Sequence, residues 1–340
     1  VWGAVETRAA KISTAILKKM SRFSRRELLG WAAVPWFSRL LNAQDAPQDS
    51  EPTFTTAVNV VNIFATVRDK RGEIVRELTK DDFSILENGR PQTIKYFTRE
   101  TDLPLTVGLL IDTSMSQDKL LNDERGASFR FLDQVLRERK DQFFIAQFDV
   151  GVVMRQELTA SRSQLNEALS YVDTQTRSQL MRQGGGTVLY DALVKVSNEV
   201  MTGQKNRKAI IVLSDGVDFG SNATLSEGIE AVQMADTIIY SILFADPHAY
   251  GAGGGAEAQR GRDAMSRMAR ETGGAYFEVT KKLNLEQTFD AIQTDLRSQY
   301  SLGYTPNPPV KEPQFRKIQV TVKRDDVIVE ARNRYYARPL

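Results

Sequence analysis

The chain has 340 residues, of which 41% are hydrophobic, 26% charged and 9% aromatic, a globular balance that excludes a disordered, collagenous or membrane-embedded protein. The absence of cysteine removes disulfide scaffolds, zinc ribbons, iron–sulfur sites and thiol nucleophiles, and the single histidine, His248, removes most imidazole-based catalysis, so the composition leans away from an enzyme. The formal charge of +2 is unevenly spread: residues 1–43 hold 8 Lys or Arg against 2 acids, which leaves the remainder slightly acidic and without a basic face for nucleic acid.

The first predicted element is a leader, residues 1–43. Ser24-Arg25-Arg26-Glu27-Leu28-Leu29 precedes an apolar stretch from Gly30 to Phe37, followed by Leu40-Leu41-Asn42-Ala43. The apolar run is too short to span a bilayer, and a small residue stands where cleavage is expected. The segment resembles a twin-arginine export signal, with a basic amphipathic surface helix as the alternative. The resemblance implies an exported protein, periplasmic or extracellular, that meets a membrane only transiently during export. Trp2, Trp31 and Trp36 all lie in this leader, so cleavage would leave a chain without tryptophan.

Residues 44–103 read as a β-rich flank. Val58, Val60, Ile63, Ala65 and Val67 run up to the turn Asp69-Lys70-Arg71-Gly72, and Phe83-Ser84-Ile85-Leu86 passes through Asn88-Gly89 into Thr93–Phe97. Similar text returns in residues 306–340, at Ile318–Val322 and Val327–Ala331. Neither flank has enough strands to close a core, so 306–340 is expected to pair with 56–98 in a β-sandwich-like domain.

Between them, residues 104–305 alternate strand and helix. Leu105–Ile111 is an uninterrupted apolar run of the kind buried on both sheet faces, and Lys119–Lys140 carries apolar residues at near-helical spacing. Strands are predicted at Phe143–Phe148, Ala209–Leu213 and Ile238–Phe244, with helices near 163–172, after Thr187, and near 226–234, 264–271 and 285–296. The predicted fold class is α/β, a doubly wound, mainly parallel sheet accompanied by the sandwich-like flanks. Gly251–Ala256 reads as a flexible loop, and His248 as an exposed loop residue without a role.

The chemistry concentrates at strand ends. The first central strand runs into Asp112-Thr113-Ser114-Met115-Ser116, Gly184-Gly185-Gly186-Thr187 opens a later helix, and Ile210–Leu213 ends in Ser214-Asp215-Gly216. In an open parallel sheet, ligands bind beyond the carboxyl ends of the strands at the switch of strand order. A D-x-S-x-S string by itself is equally a helix N-cap, and the glycine run lacks the lysine that a phosphate-binding Walker loop requires. Asp149, Asp191 and Asp218 are assigned to turns or solvated faces.

Taken together, D-x-S-x-S, the later threonine and the strand-end aspartate resemble the metal-ion-dependent adhesion site of von Willebrand factor A-type domains. The flanking text resembles the related exported bacterial proteins. The resemblance implies a Rossmann-like von Willebrand A fold over 104–305. It also implies a divalent cation, Mg²⁺ in the first place with Mn²⁺ or Ca²⁺ as alternatives, held by Ser114, Ser116 and Thr187 through hydroxyls and by Asp112 and Asp215 directly or through water. All-oxygen ligation suits such a hard ion. Met115 stands where the family often has glycine, at a position that does not hold the ion.

The implied function is a non-enzymatic, exported binding module whose ion recognises an Asp or Glu on a protein partner. Two other readings stand beside it: a scaffold whose metal only rigidifies the rim, and a metal-dependent phosphoesterase. The last lacks an acid two residues after Asp112, where Ser114 stands.

Overall fold

The computed structural model describes residues 60–99, 103–174, 186–246 and 254–339. The chain divides into residues 1–55 and 56–340, and every described residue belongs to the second unit. The leader, His248, Gly184, Gly185 and the glycines at 251 and 253 lie outside the described residues.

The N-terminal flank begins with β1, Val61–Asp69, whose Ile63, Ala65 and Val67 are buried. β2, Phe83–Glu87, turns through Asn88 and Gly89 into β3, Arg90–Gln92. Both turn residues have positive φ, 47° and 78°, as a tight hairpin turn demands. The sequence reads Thr93–Phe97 as the return strand of this hairpin. Instead, β3 ends at Gln92 and β4, Ile94–Thr98, enters a different sheet. Packing decides this switch, because Phe97 stacks beside Phe83 and Tyr300 in the shared core.

The α/β part follows in the predicted order. β5, Leu105–Asp112, is buried at every residue and leads to α1, Leu121–Val135. Next come β6, Gln142–Phe148, β7, Val152–Thr159, α2, Arg162–Ser170, and α3, Leu189–Val196. β8, Arg207–Ser214, α4, Leu225–Met234, and β9, Thr237–Leu243, continue the alternation. α5, Gly255–Thr272, starts well before the predicted 264–271. Its first turns are polar and largely exposed, so they carry no apolar periodicity and read as loop. β10, Tyr276–Glu278, and α6, Leu285–Leu296, complete this part.

The six-stranded sheet has the order β10-β9-β8-β5-β6-β7, parallel except for β7 against β6. Leu105, Val107, Leu109 and Ile111 share a core with α1, α2 and α6, while Leu110, Ile210, Val212 and Ile239 pack against α3, α4 and α5. Burial on both faces explains why β5 shows no polar alternation.

β11, Tyr300–Tyr304, is counted with the α/β segment by its position before residue 305. It instead lies between β1 and β4, with Tyr300, Leu302 and Tyr304 in the flank core. The C-terminal strands are β12, Gln314–Val322, β13, Val327–Ala331, and β14, Arg334–Ala337. β13 pairs with β1, whereas β12 pairs with β2 and β14. The sheets β13-β1-β11-β4 and β14-β12-β2-β3 thus each mix strands from both ends of the chain and share one apolar core. Among the described residues, no helix is long and apolar enough to cross a membrane.

Candidate metal centre

β5 lies between β6 and β8, and the chain winds outward from it in both directions, so the carboxyl ends of β5 and β8 form the switch point of the sheet. Asp112 is the last residue of β5 and is fully buried. One carboxylate oxygen accepts the Ser114 N–H at 2.9 Å, which folds the D-x-S turn, and the other accepts the Ser214 hydroxyl at 2.6 Å. The Ser214 oxygen in turn accepts the Gly216 N–H at 2.9 Å. Ser214, absent from the residues singled out by sequence, therefore locks the ends of β5 and β8 together. The Ser114 and Ser116 hydroxyl oxygens lie 3.0 Å apart.

Asp215 is buried, and one of its carboxylate oxygens accepts the Val217 N–H at 3.0 Å. The turn that carries it is pressed against α5. A Cβ on Gly261 of that helix would stand 2.2 Å from the Asp215 carbonyl oxygen, and one on Gly216, at φ 79°, 2.4 Å from the Gly261 carbonyl oxygen. Two glycines are thus required for backbone to meet backbone beneath the site.

Thr187 is positioned by main chain. Its N–H donates to the Phe219 carbonyl at 3.0 Å, the Phe219 N–H donates back at 2.8 Å, and the Val188 N–H donates to the Asp149 carbonyl at 2.8 Å. Thr187 is thereby strapped between the segment that follows Asp215 and the end of β6. Gly186, at φ 147°, has the Phe219 carbonyl oxygen 2.5 Å from where a Cβ would be, so this glycine serves a close backbone approach. The structure links Asp112, Ser114 and Ser116 by hydrogen bonds, ties Asp112 electrostatically to Asp215, and sets Thr187 beside the loop after Asp215.

Of the acids given no role, Asp218 accepts the Tyr190 N–H and the Ser221 hydroxyl, and Asp191 accepts the Asn222 and Ala223 N–H groups, as expected of turn residues. Asp149 also makes a turn, to the Gly151 N–H at 3.2 Å. It is buried rather than solvated, and it accepts the Thr113 hydroxyl at 3.4 Å.

Buried carboxylates dominate the electrostatics here. Burial first, and then the charge of Asp215, pushes the Asp112 carboxyl up to about 7. Glu124, in the first turn of α1, is also fully buried, and neither of its carboxylate oxygens has a hydrogen-bond partner in the protein. Burial raises its carboxyl well above the ordinary range, and the charges acting on it, Asp112, Asp215 and Asp123, raise it further. Sequence reasoning passed over Glu124. The available signal was its position on the apolar stripe of α1, among Leu121, Ala127, Phe131, Leu132 and Val135.

The donor set fits a hard divalent cation: carboxylates and hydroxyls only, with buried acids whose mutual repulsion a cation would relieve. Among the described residues, no group of three acids or histidines converges. A pH dependence follows. Asp112 ionises near 3.8 when unfolded but near 7 in the metal-free fold, so the folded state binds more protons between those values. Metal-free stability is expected to fall as pH rises from about 4 to about 7, and excess Mg²⁺ to remove most of that slope. Thermal unfolding across this range, with and without chelator, checks both.

Among solved structures, the chain is similar to the conserved hypothetical protein BatB from Bacteroides thetaiotaomicron, at 16% identity and TM-score 0.41, over 56% of this chain and 97% of that one. It is also similar to proximal thread matrix protein 1 from the mussel byssus, with a zinc-occupied MIDAS motif, at 12% identity and TM-score 0.44, over 62% of this chain and 49% of that one. The pilus adhesin SpaC from Lactobacillus rhamnosus GG is similar at 12% identity and TM-score 0.44, over 76% and 48% respectively. No curated protein matches the chain. Residues 107–217, from β5 through the Asp215 turn, match the family model of the von Willebrand factor type A domain, and the α/β part, with its switch point between β5 and β8, is a von Willebrand A-like fold.

Proposed function

We propose that the protein is an exported, non-enzymatic binding module whose α/β part holds a divalent cation, Mg²⁺ in the first place, to recognise an Asp or Glu side chain on a protein partner. Asp112, Asp215, Ser114, Ser116 and Thr187 would hold the ion, and the twin-arginine-like leader supports export to the periplasm or beyond. The observation that carries this reading is the pair of buried acids, Asp112 and Asp215, at the switch point beside two adjoining serine hydroxyls. When bound, the ion supplies a Lewis-acidic position for a carboxylate. The chain's own part is to hold the turn rigid through Ser214 and the Gly216–Gly261 contact. The rim around the acids also supports a protein partner. Met115, within the D-x-S-x-S turn, is 45% exposed, and Phe219, bonded through its main chain to Thr187, is 76% exposed, so apolar surface flanks the site.

Calorimetric titration of Mg²⁺ and Mn²⁺ into the chelator-treated protein tests the reading. Saturable binding of one ion, lost in Ser114→Ala, is expected. Wild-type protein that takes up no ion would refute it. Capture of an acidic peptide separates the adhesion reading from a rigidifying scaffold metal: capture that disappears with chelator supports adhesion, whereas ion binding without any carboxylate capture supports the scaffold.

A further inference from the structure

Three buried polar side chains along the turn after Ser116 and the start of α1 remain unexplained by the five residues above. Glu124 is 0% exposed, and both of its carboxylate oxygens lack a partner. Gln117, in the turn between Ser116 and α1, is 0% exposed, and neither its amide oxygen nor its amide nitrogen has a partner. Ser128, one helical turn beyond Glu124, is buried with its hydroxyl unpartnered. A buried polar group left without a partner is costly, so three on one short segment call for an explanation. Elsewhere in the unit single buried atoms also lack a partner, the Ser197 and Ser241 hydroxyls among them, but there the fully unpartnered group is not a carboxylate. The buried Glu87 accepts hydrogen bonds from Tyr304, Tyr335 and Arg316.

The placement of Glu124 gives the direction. The backbone ties the segment to the D-x-S-x-S turn: the Gln117 N–H donates to the Ser114 carbonyl at 2.9 Å, the Leu121 N–H to the Gln117 carbonyl at 3.0 Å and the Glu124 N–H to the Leu120 carbonyl at 3.0 Å, and the charges acting on the buried Glu124 include Asp112 and Asp215. Protonation would not satisfy it, because a neutral carboxyl needs an acceptor for its own hydrogen. What suits an unpartnered carboxylate and an amide oxygen is a set of strong hydrogen-bond donors. Water bound to a divalent cation is such a donor, since Mg²⁺ dehydrates reluctantly and keeps several waters. Among the described residues no three acids converge as a ligand group, so the role open to Glu124 is one exerted through water.

We propose that Glu124, assisted by Gln117, is a positioning residue of the cation site, anchoring water molecules of the ion's shell from the α1 side. This rests on the cation-site reading given above. It adds a third acid to the two that the strand ends supply, and it makes the entry to α1 part of the site. Outer-shell partners of this kind typically alter metal affinity by about 10–100-fold.

The test uses the full chain and the metals alone. Glu124→Gln keeps the shape and removes the charge. Mg²⁺ and Mn²⁺ affinity measured by calorimetry is expected to fall at least about 10-fold. Asp123→Asn, one residue away and exposed, removes an equal charge from the same helical turn and is expected to leave affinity within about twofold, since exposed charges are screened. Water-proton relaxation by bound Mn²⁺ should also change in Glu124→Gln, a readout that a purely structural role would not move. Gln117→Met provides a second variant, because removing an unpartnered buried amide does not endanger the fold, and a severalfold loss of affinity is expected. Wild-type affinity and relaxation in both Glu124→Gln and Gln117→Met would overturn this proposal alone. Absence of metal binding by the wild type would overturn it together with the cation site itself.

Discussion

Asp112→Asn is expected to reduce Mg²⁺ and Mn²⁺ affinity by more than about 100-fold, beyond the range typical of outer-shell partners, while leaving the metal-free protein folded. The amide oxygen can still accept the Ser114 N–H, and the amide nitrogen can donate to the Ser214 oxygen, so both bonds that hold the turn have replacements. What disappears is a buried negative charge that Asp215 repels and that burial disfavours. The metal-free variant should therefore unfold at the same temperature as metal-free wild type, or higher, at pH 7. The two measurements together separate the cation site from the helix-capping reading of D-x-S-x-S. Asparagine caps as well as aspartate does, so a turn whose purpose is capping would tolerate the change with no effect on ion binding. Unchanged calorimetric binding in the variant would remove Asp112 from the site.

Glu87→Ala is expected to destabilise the folded unit by about 3–5 kcal/mol, the cost of breaking a buried ion pair on one side. Glu87 is 2% exposed and Arg316 is 5% exposed, with 2.5 Å between the guanidinium and the carboxylate. The same carboxylate accepts the Tyr304 hydroxyl at 2.6 Å and the Tyr335 hydroxyl at 2.9 Å, so the variant strands one charge and two hydroxyls inside the sandwich. For a unit of this size the melting temperature should drop by roughly 10 °C. Arg316→Met combined with Glu87→Met removes both charges and should recover part of the loss, which a double-mutant cycle in urea measures. A single-variant cost below about 1 kcal/mol would show that water reaches the pair and that it is not a core interaction.

Asp112 and Glu87 lie in parts of the molecule that differ in how far local pattern reveals them. Leu105–Ile111 announces a doubly buried strand because nothing polar interrupts it, and Asp112 follows at its end, where the chain must leave the sheet. Asn88-Gly89 announces its turn because few other pairs tolerate positive φ at two successive positions. The sandwich is harder to read. Gln92 and Ile94 are two residues apart and enter different sheets, and β12 and β13 are separated by a short turn yet pair with different N-terminal strands. Local alternation specifies a strand but not its neighbour, because pairing is settled by which side chains meet across the core.

The alternation of strand and helix between Leu105 and Leu296, the β-rich character of both flanks, and the candidate residues Asp112, Ser114, Ser116, Thr187 and Asp215 are legible in the amino-acid sequence. All of these are written in local period and motif. It took the folded structure to show that β11 belongs to the sandwich and that Gly216 and Gly261 meet backbone to backbone. That structure alone placed Ser214 as the bridge from β8 to Asp112, and it alone showed Glu124 to be buried with no hydrogen-bond partner. Each of these depends on groups distant in sequence approaching within a few ångströms, and a buried charge on a helix looks no different from an exposed one until the surface that buries it is known.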